Sequence, residues 1–535
     1  MDQVHGKDLQ TGGVSRREVI KGAGAAALGV GIAGGLGAAP VAAATPKKGG
    51  TLRIGIVGGS NDLMDPQYIV AKADQARCLA GWEQLLAFDE NFVPSTEYGL
   101  AEEVTNKGAT EYTVRLKKGV EFHNGKTLTA ADVVYSYRRL LDPAIKSVGK
   151  PLRTFLDPSG VNAVDARTVR FTLKSPNVEF RSNLAVYTHG IVPEGFVLRS
   201  NADRIGTSAY KLVSFTPGRE SVHTRFANHW QAEKAYLDEV RIISFADKTA
   251  LVNALLAKQV DVAVDIPLEQ VGVLEKNKNL TVNESSAGGW DAMCMRLDIP
   301  PMTDPNVRAA MRLLVNRKQM IKQVLSGRGK LANDLYGFID ENYNANNFPQ
   351  REQDIPAALA LLKKSGYSKS NPLVVELTAP DDTGGLVSMI TSFAAMAAKT
   401  DGVVKINAKV IDGGTYWSTK GQYMNTAFFT TYWSPRAYLA QAAASMDVYP
   451  ETKWPPAGSK FRELYVQATG TVKGAKRRAL VAQMQKEEWE KGTYIIPYFK
   501  VFADAFTKKL NGVVERPSQL NLDYYGHGYK NFWLA

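Results

Sequence analysis

YTVRLKKGVEFHNGKTLTAADVVYSYRRLLDP, residues 112–143, is the stretch from which the rest of the chain is read. Tyr112, Val114 and Leu116 alternate with polar residues, the period of a half-buried strand. Asn124-Gly125 is the residue pair that most readily takes up a tight reversal. Thr129 stands where a helix cap belongs, and Asp132 puts acidic charge into the first turn. Val133, Val134, Tyr137, Leu140 and Leu141 then share one apolar face, and Pro143 closes the helix. These spacings predict a strand, a turn and a helix, and they carry no chemistry of their own.

As a string, L-x-x-G-V-x-F-H-x-G-x-x-L-T-A-x-D-V-x-Y-S (residues 116–136) resembles the diagnostic segment of the family 5 extracellular solute-binding proteins. These are the dipeptide-, oligopeptide- and nickel-binding components of ABC importers. Further blocks extend the likeness: G-G-T-L-R-I from Gly49, L-M-D-P from Leu63, NLAVYTHGIVP from Asn183, and IGTSAYKLVSFTPG from Ile205. D-P-x-V-R-x-A-M-x-x-L-V-N-R from Asp304 resembles the opening of the family's second large lobe. There Asp304 is a helix cap, Pro305 takes the first turn, Val307, Ala310, Met311 and Leu314 form one face, and Gly327 ends the pattern.

The resemblance implies an α/β chain with the periplasmic-binding-protein type II fold: two large lobes joined by a hinge, plus a small inserted lobe. The expected division is an export signal at 1–44, lobe I at 45–80, the inserted lobe at 81–203, lobe I again at 204–287, lobe II at 288–502, and a return to lobe I at 503–535. Length agrees, since 535 residues exceed one ordinary core.

Composition narrows the classes. Charged residues at 22% and hydrophobic ones at 44% describe a globular chain. The net charge of +12 is not gathered into long basic runs, and no zinc spacing or RNA-binding signature accompanies it, so the expectation is a solvated basic surface and no nucleic acid. Cys78 and Cys294 are too few for a zinc site and are expected as two buried thiols, with a disulfide between them the alternative in an oxidising compartment.

Ser15-Arg16-Arg17-Glu18-Val19-Ile20-Lys21 looks like a twin-arginine export signal, followed by an uncharged run from Gly22 to Ala44 that ends in small residues. The expectation is a soluble periplasmic protein cleaved near Ala44. Gly29, Gly31 and Gly34 spell the dinucleotide fingerprint, but inside this segment, with no strand before and no helix after, the match is discarded.

Ligand-contact candidates come from the resemblance. Asn61 and Asp62 either face the cleft or hold a turn through their own backbone. His189 is either a contact or a structural histidine, and Trp290, at the crossing between lobes, either a contact or a core residue. His123 belongs to the hairpin and is structural. Tyr416, Trp417, Tyr432, Trp433 and Arg436 bear most on ligand choice. Peptide-binding members resemble W-x-x-D here, with the aspartate pairing to the peptide's free amino group. Trp433 is followed three residues on by Arg436, which reverses that charge. A guanidinium suits a carboxylate or phosphate, so the departure implies an anionic ligand between walls of Trp417 and Trp433, with a solvated loop arginine as the alternative.

Catalytic constellations are absent from the sequence: there is no G-x-S-x-G elbow, no H-E-x-x-H and no phosphate loop. Asp381-Asp382 after Pro380 reads as a cap or turn before it reads as an acid/base pair. Six scattered histidines argue against direct metal ligation, though not against a bound chelate. The expected protein is a non-catalytic monomeric receptor without cofactor or metal, partnered by a small or peptide-like solute and an inner-membrane permease. A chaperone-like or metal-complex-binding role on the same scaffold is the second reading, and a periplasmic hydrolase the third.

Overall fold

In the computed structural model, residues 45–69, 71–89, 92–145, 152–417, 423–513 and 528–535 are described. The twin-arginine motif, the cleavage site and the discarded glycine fingerprint lie outside them. Among the described residues, no helix is long and apolar enough to cross a membrane.

The quoted stretch folds as its spacing predicts. Glu111–Leu116 is a strand and Ala130–Leu141 a helix. The strand is central in a four-stranded antiparallel sheet with Ala101–Lys107, Thr168–Thr172 and Val161–Asp165. Tyr112, Val114 and Leu116 from the strand, and Val133, Tyr137, Leu140 and Leu141 from the helix, meet in one core with Phe171 and Phe180. This is the inserted lobe.

The signature's polar residues turn out to be fasteners. The buried Asp132 carboxylate accepts from the Thr129 N–H at 2.9 Å and from the Glu194 N–H at 2.8 Å, and pairs with Lys126. One side chain thus joins the hairpin, the helix start and the segment leaving the lobe. His123 takes the Gly206 N–H on Nδ1 at 3.3 Å and donates from Nε2 to the Ser208 carbonyl at 2.8 Å. Burial pushes its pKa down to about 4, which keeps it neutral and suited to those two opposite roles. Gly206 lies so close to the end of helix Lys72–Gly81 that a Cβ there would sit 2.0 Å from the Gly81 carbonyl oxygen.

Both large lobes share one twelve-stranded sheet. In lobe I, Thr51–Val57 runs parallel to Glu239–Phe245 and Val262–Ala263, and Glu220–Arg225 and Tyr210–Thr216 complete the edge as antiparallel strands. In lobe II, Leu373–Pro380 runs parallel to Val404–Ile411 and Phe428–Trp433. Two long antiparallel strands, Leu280–Met295 and Tyr498–Thr507, connect the halves. Leu280 packs in a lobe I core, whereas Met293 and Cys294 pack in lobe II cores. The register breaks between Ser286 and Trp290, where Gly288 adopts a φ of 69°, so the chain changes lobes at a backbone position that favours glycine.

The sequence pattern from Asp304 predicts one helix ending at Gly327; the structure holds two, Pro305–Leu313 and Arg317–Val324. Asn316 accounts for the break. Its side chain accepts from the Gln319 N–H at 2.9 Å, starting a new helix where the first would have continued. Asp304 caps the first helix as expected, accepting from the Asn306 N–H at 2.7 Å. The C-terminal run packs into the lobe I core, where Leu510, Tyr529 and Phe532 join Leu52, Ile54 and Ile242; Trp533–Leu534 pairs with Leu510–Asn511, and Lys530 is buried against Glu83 at 3.0 Å. Cys78 and Cys294 are both buried free thiols.

Candidate ligand-binding site

Strand alternation sorts the candidates before any contact is considered. Trp290 and Trp433 are cross-strand partners, as are their neighbours Asp291 and Tyr432, so the first pair faces one side of the sheet and the second pair the other.

On the first side, Trp290 is buried, its ring stacked 6.1 Å from Trp433 and 5.9 Å from Tyr336. It is a core residue of lobe II. Trp433, also buried, stacks on it. Its indole N–H donates to Glu451 at 2.9 Å, and the Arg436 guanidinium sits 4.9 Å from its ring centroid. Arg436 also donates to the Gln441 side-chain carbonyl at 3.4 Å. Tyr187, in the segment leaving the inserted lobe, lies within electrostatic reach: burial raises its phenol pKa and the Arg436 charge opposes that rise. The arginine therefore occupies a half-buried position on an aromatic platform.

Glu451 underlies this platform. Its buried carboxylate accepts from Trp433 Nε1 and Tyr494 Oη at 2.9 Å each, and from Thr431 Oγ1 at 3.2 Å. Burial raises its pKa to about 7, and the three donors pull it only partway back.

On the second side, Tyr432 is 48% exposed and Trp417 packs edge-on against it at 5.5 Å. Lys500, on a crossing strand, pairs with Asp291 at 2.7 Å and lies 5.3 Å from the Tyr432 ring. The Trp417 N–H donates to Asp382 at 3.3 Å. Asp381 accepts from the Gly413 N–H at 2.8 Å, so this acidic pair organises a turn. Side chains 432 and 433 point to opposite faces of the strand, so Arg436 sits on Trp433 while Trp417 packs against Tyr432.

Three other candidates, Asp62, His189 and Tyr416, are held in the interior. Asp62 accepts from Arg77 Nη1 at 2.8 Å, from Ser244 Oγ at 3.1 Å and from the Gly59 N–H at 3.0 Å, leaving both oxygens engaged inside lobe I. Asn61, beside it, is exposed. His189 is buried, bonded through Nδ1 to the Asn183 carbonyl at 2.7 Å, with its pKa pushed down to about 4 by burial. Tyr416 is buried with its hydroxyl donating to the Thr430 carbonyl at 2.7 Å. Asp62, His189 and Tyr416 are thus engaged in the interior and Asn61 is exposed, while Arg436 and Trp417 are half-buried, Tyr432 is exposed and Trp433 is buried. Sequence reasoning passed over Tyr187, Gln441, Glu451 and Lys500. Tyr187 stood inside a recognised block, but nothing in one sequence shows which of its residues faces across a cleft.

Among the described residues, no group of three or more His, Cys, Asp or Glu side chains could hold a metal ion. Comparison with known proteins gives the arrangement its context. The chain is 25% identical over 483 residues to the glutathione-binding protein GsiB of Pectobacterium atrosepticum, covering 87% of this chain and 91% of that one. Its fold matches AgaA of A. tumefaciens R10, solved with agropinic acid, at a TM-score of 0.75 and 22% identity over 91% of this chain and 99% of that one. It likewise matches the periplasmic binding protein DppA of Helicobacter pylori, solved with the peptide STSA, at a TM-score of 0.75 and 19% identity over 91% and 98% of the two chains. The profile of bacterial extracellular solute-binding proteins, family 5 Middle, matches residues 95–450, so the chain belongs to the family 5 bacterial extracellular solute-binding proteins.

Proposed function

We propose that the mature chain is a periplasmic receptor that closes on a small solute carrying at least one carboxylate, and hands it to the permease of an ABC importer in the inner membrane. The receptor is exported by the twin-arginine route, works as a monomer and needs no cofactor. Its cycle is capture, hinge closure and release, without covalent change to the solute. The division into lobe I, inserted lobe and lobe II supplies the moving parts.

The reading rests on Arg436, which the family resemblance sets where peptide-binding members carry an aspartate, and whose guanidinium lies 4.9 Å from the Trp433 ring centroid. A stacked guanidinium offers planar paired donors that fit a carboxylate, and in a closed cleft such charge-assisted bonds are the strong ones. The ligands named for two related proteins, glutathione and agropinic acid, both carry carboxylates, which supports the same chemistry here.

Thermal unfolding of the mature chain against a solute panel tests the reading. The panel contains glutathione, opine-type amino-acid conjugates, carboxylated sugars, nickel chelates, and short peptides with free and amidated C-termini. A bound solute at a hundred times its Kd stabilises the folded chain by about 2.7 kcal/mol. Shifts confined to carboxylated solutes are expected; an equal shift with a C-terminally amidated peptide contradicts the reading.

A further inference from the structure

The inserted lobe touches lobe II directly, away from Arg436. The Val178 N–H donates to the Thr469 carbonyl at 3.0 Å. Thr469 lies in the last turn of helix Lys460–Gly470, where carbonyls have no intrahelical donor and accept one from outside. Beside this bond a Cβ on Gly470 would sit 3.7 Å from Pro176, and the Val178 side chain packs on the aromatic core of lobe II. The segment is stiff on its own side. Asn177 accepts from the Tyr112 hydroxyl at 2.8 Å through its carbonyl and from the Glu179 N–H at 2.9 Å through its side chain, and Phe180 is buried in the inserted lobe's core.

Glu179 comes next and faces the same interface. The charges of Asp340 and Glu341 of lobe II oppose its own, and that of Arg477 favours it. Tyr465 of lobe II and Tyr112 of its own lobe also feel its charge, and the Ser182 hydroxyl donates to it at 3.4 Å. Arg477 is shared with Glu341 at 3.7 Å, so two carboxylates and a helix C-terminus confront Glu179 with one divided positive charge.

We infer that the inserted lobe is a jaw of the clamp, its Pro176–Glu179 segment latching onto the end of helix Lys460–Gly470, and that a proton on Glu179 strengthens the latch. This deepens the receptor reading and rests on it for the idea that the lobes part and close. Burial, with Asp340, raises the Glu179 pKa from 4.5 to about 7 in the latched form. The latched form therefore holds a proton that the parted form releases. The latch is strongest below the ordinary glutamate value, weakens as pH rises through about 7, and levels off above it.

Hydrogen exchange at the Val178 amide reads the latch without any solute, so its outcome is independent of which ligand is bound. The mature chain and Glu179→Gln are compared at pH 5.5 and 7.5, with each rate divided by that of the unstructured peptide. For the unsubstituted chain, protection is expected to fall roughly fivefold or more between the two pH values. For Glu179→Gln it is expected to be the same at both, and higher than the unsubstituted chain at pH 7.5. No protection of Val178 at either pH overturns the latch; an equal fall in Glu179→Gln overturns the role of its proton.

Discussion

The Arg436 guanidinium lies 4.9 Å from the centroid of the Trp433 ring, and that ring is tied through its N–H to the buried Glu451 carboxylate at 2.9 Å. The two contacts use different parts of the indole, its face and its edge. Trp433→Phe separates them: the aromatic face under Arg436 persists, and Glu451 loses one of three donors. Denaturant unfolding is expected to show a loss of about 1–2 kcal/mol, the cost of an unsatisfied buried acceptor, with solute affinity changed little.

A second expectation concerns pH. Burial raises Glu451 to about 7 and Glu488 to about 8, and Glu488 is held by the Tyr438 hydroxyl at 2.8 Å. Both are acids with folded-state values above the ordinary 4.5, so their charged forms oppose folding. Their contribution is fully favourable below 4.5 and is lost as pH rises through 7 and 8. The melting temperature should decline between pH 5.5 and 8.5, reflecting a loss on the order of 2–4 kcal/mol. The Glu451→Gln, Glu488→Gln double variant should show a flatter profile; an unchanged slope would count against this assignment.

The Asp62–Arg77 pair is a third test. The Arg77 side chain is 0% exposed and the Asp62 side chain 4%, at 2.8 Å. Arg77→Met leaves the Asp62 carboxylate buried without its cation, which costs about 3–5 kcal/mol. Calorimetry should show that loss, and solute affinity measured below the new melting temperature should be retained if Asp62, with both oxygens engaged inside lobe I, serves only its loop.

The elements legible in the sequence were those whose signal is local. Helix Ala130–Leu141 and strand Glu111–Leu116 declare themselves by period, and Thr129, Asp304 and Pro305 mark helix starts by side-chain chemistry. Asn316 shows the limit: a cap inside an apolar period looks like one long helix until its hydrogen bond is seen. The site was less legible. Trp433 and Arg436 stood out because spacing places a reversed charge at a matched position. Trp417 packs against Tyr432 while Arg436 sits on Trp433, and one sequence does not say which face of a strand meets which lobe. Buried partners from distant segments, such as Glu451 under Trp433 and Arg77 under Asp62, leave no local trace at all.

Charge reversal at Arg436 tests the central claim most directly. Isothermal titration of the mature chain and of Arg436→Glu is carried out with glutathione, or with whichever carboxylated solute gives the largest thermal shift, and with its amidated analogue. The account predicts that the carboxylated solute binds Arg436→Glu more weakly by at least roughly tenfold, the scale of one charged hydrogen bond of about 1.5–3 kcal/mol. It also predicts that the amidated analogue loses less. Equal affinity of the two proteins for the carboxylated solute would contradict it and return Arg436 to the role of a solvated loop residue.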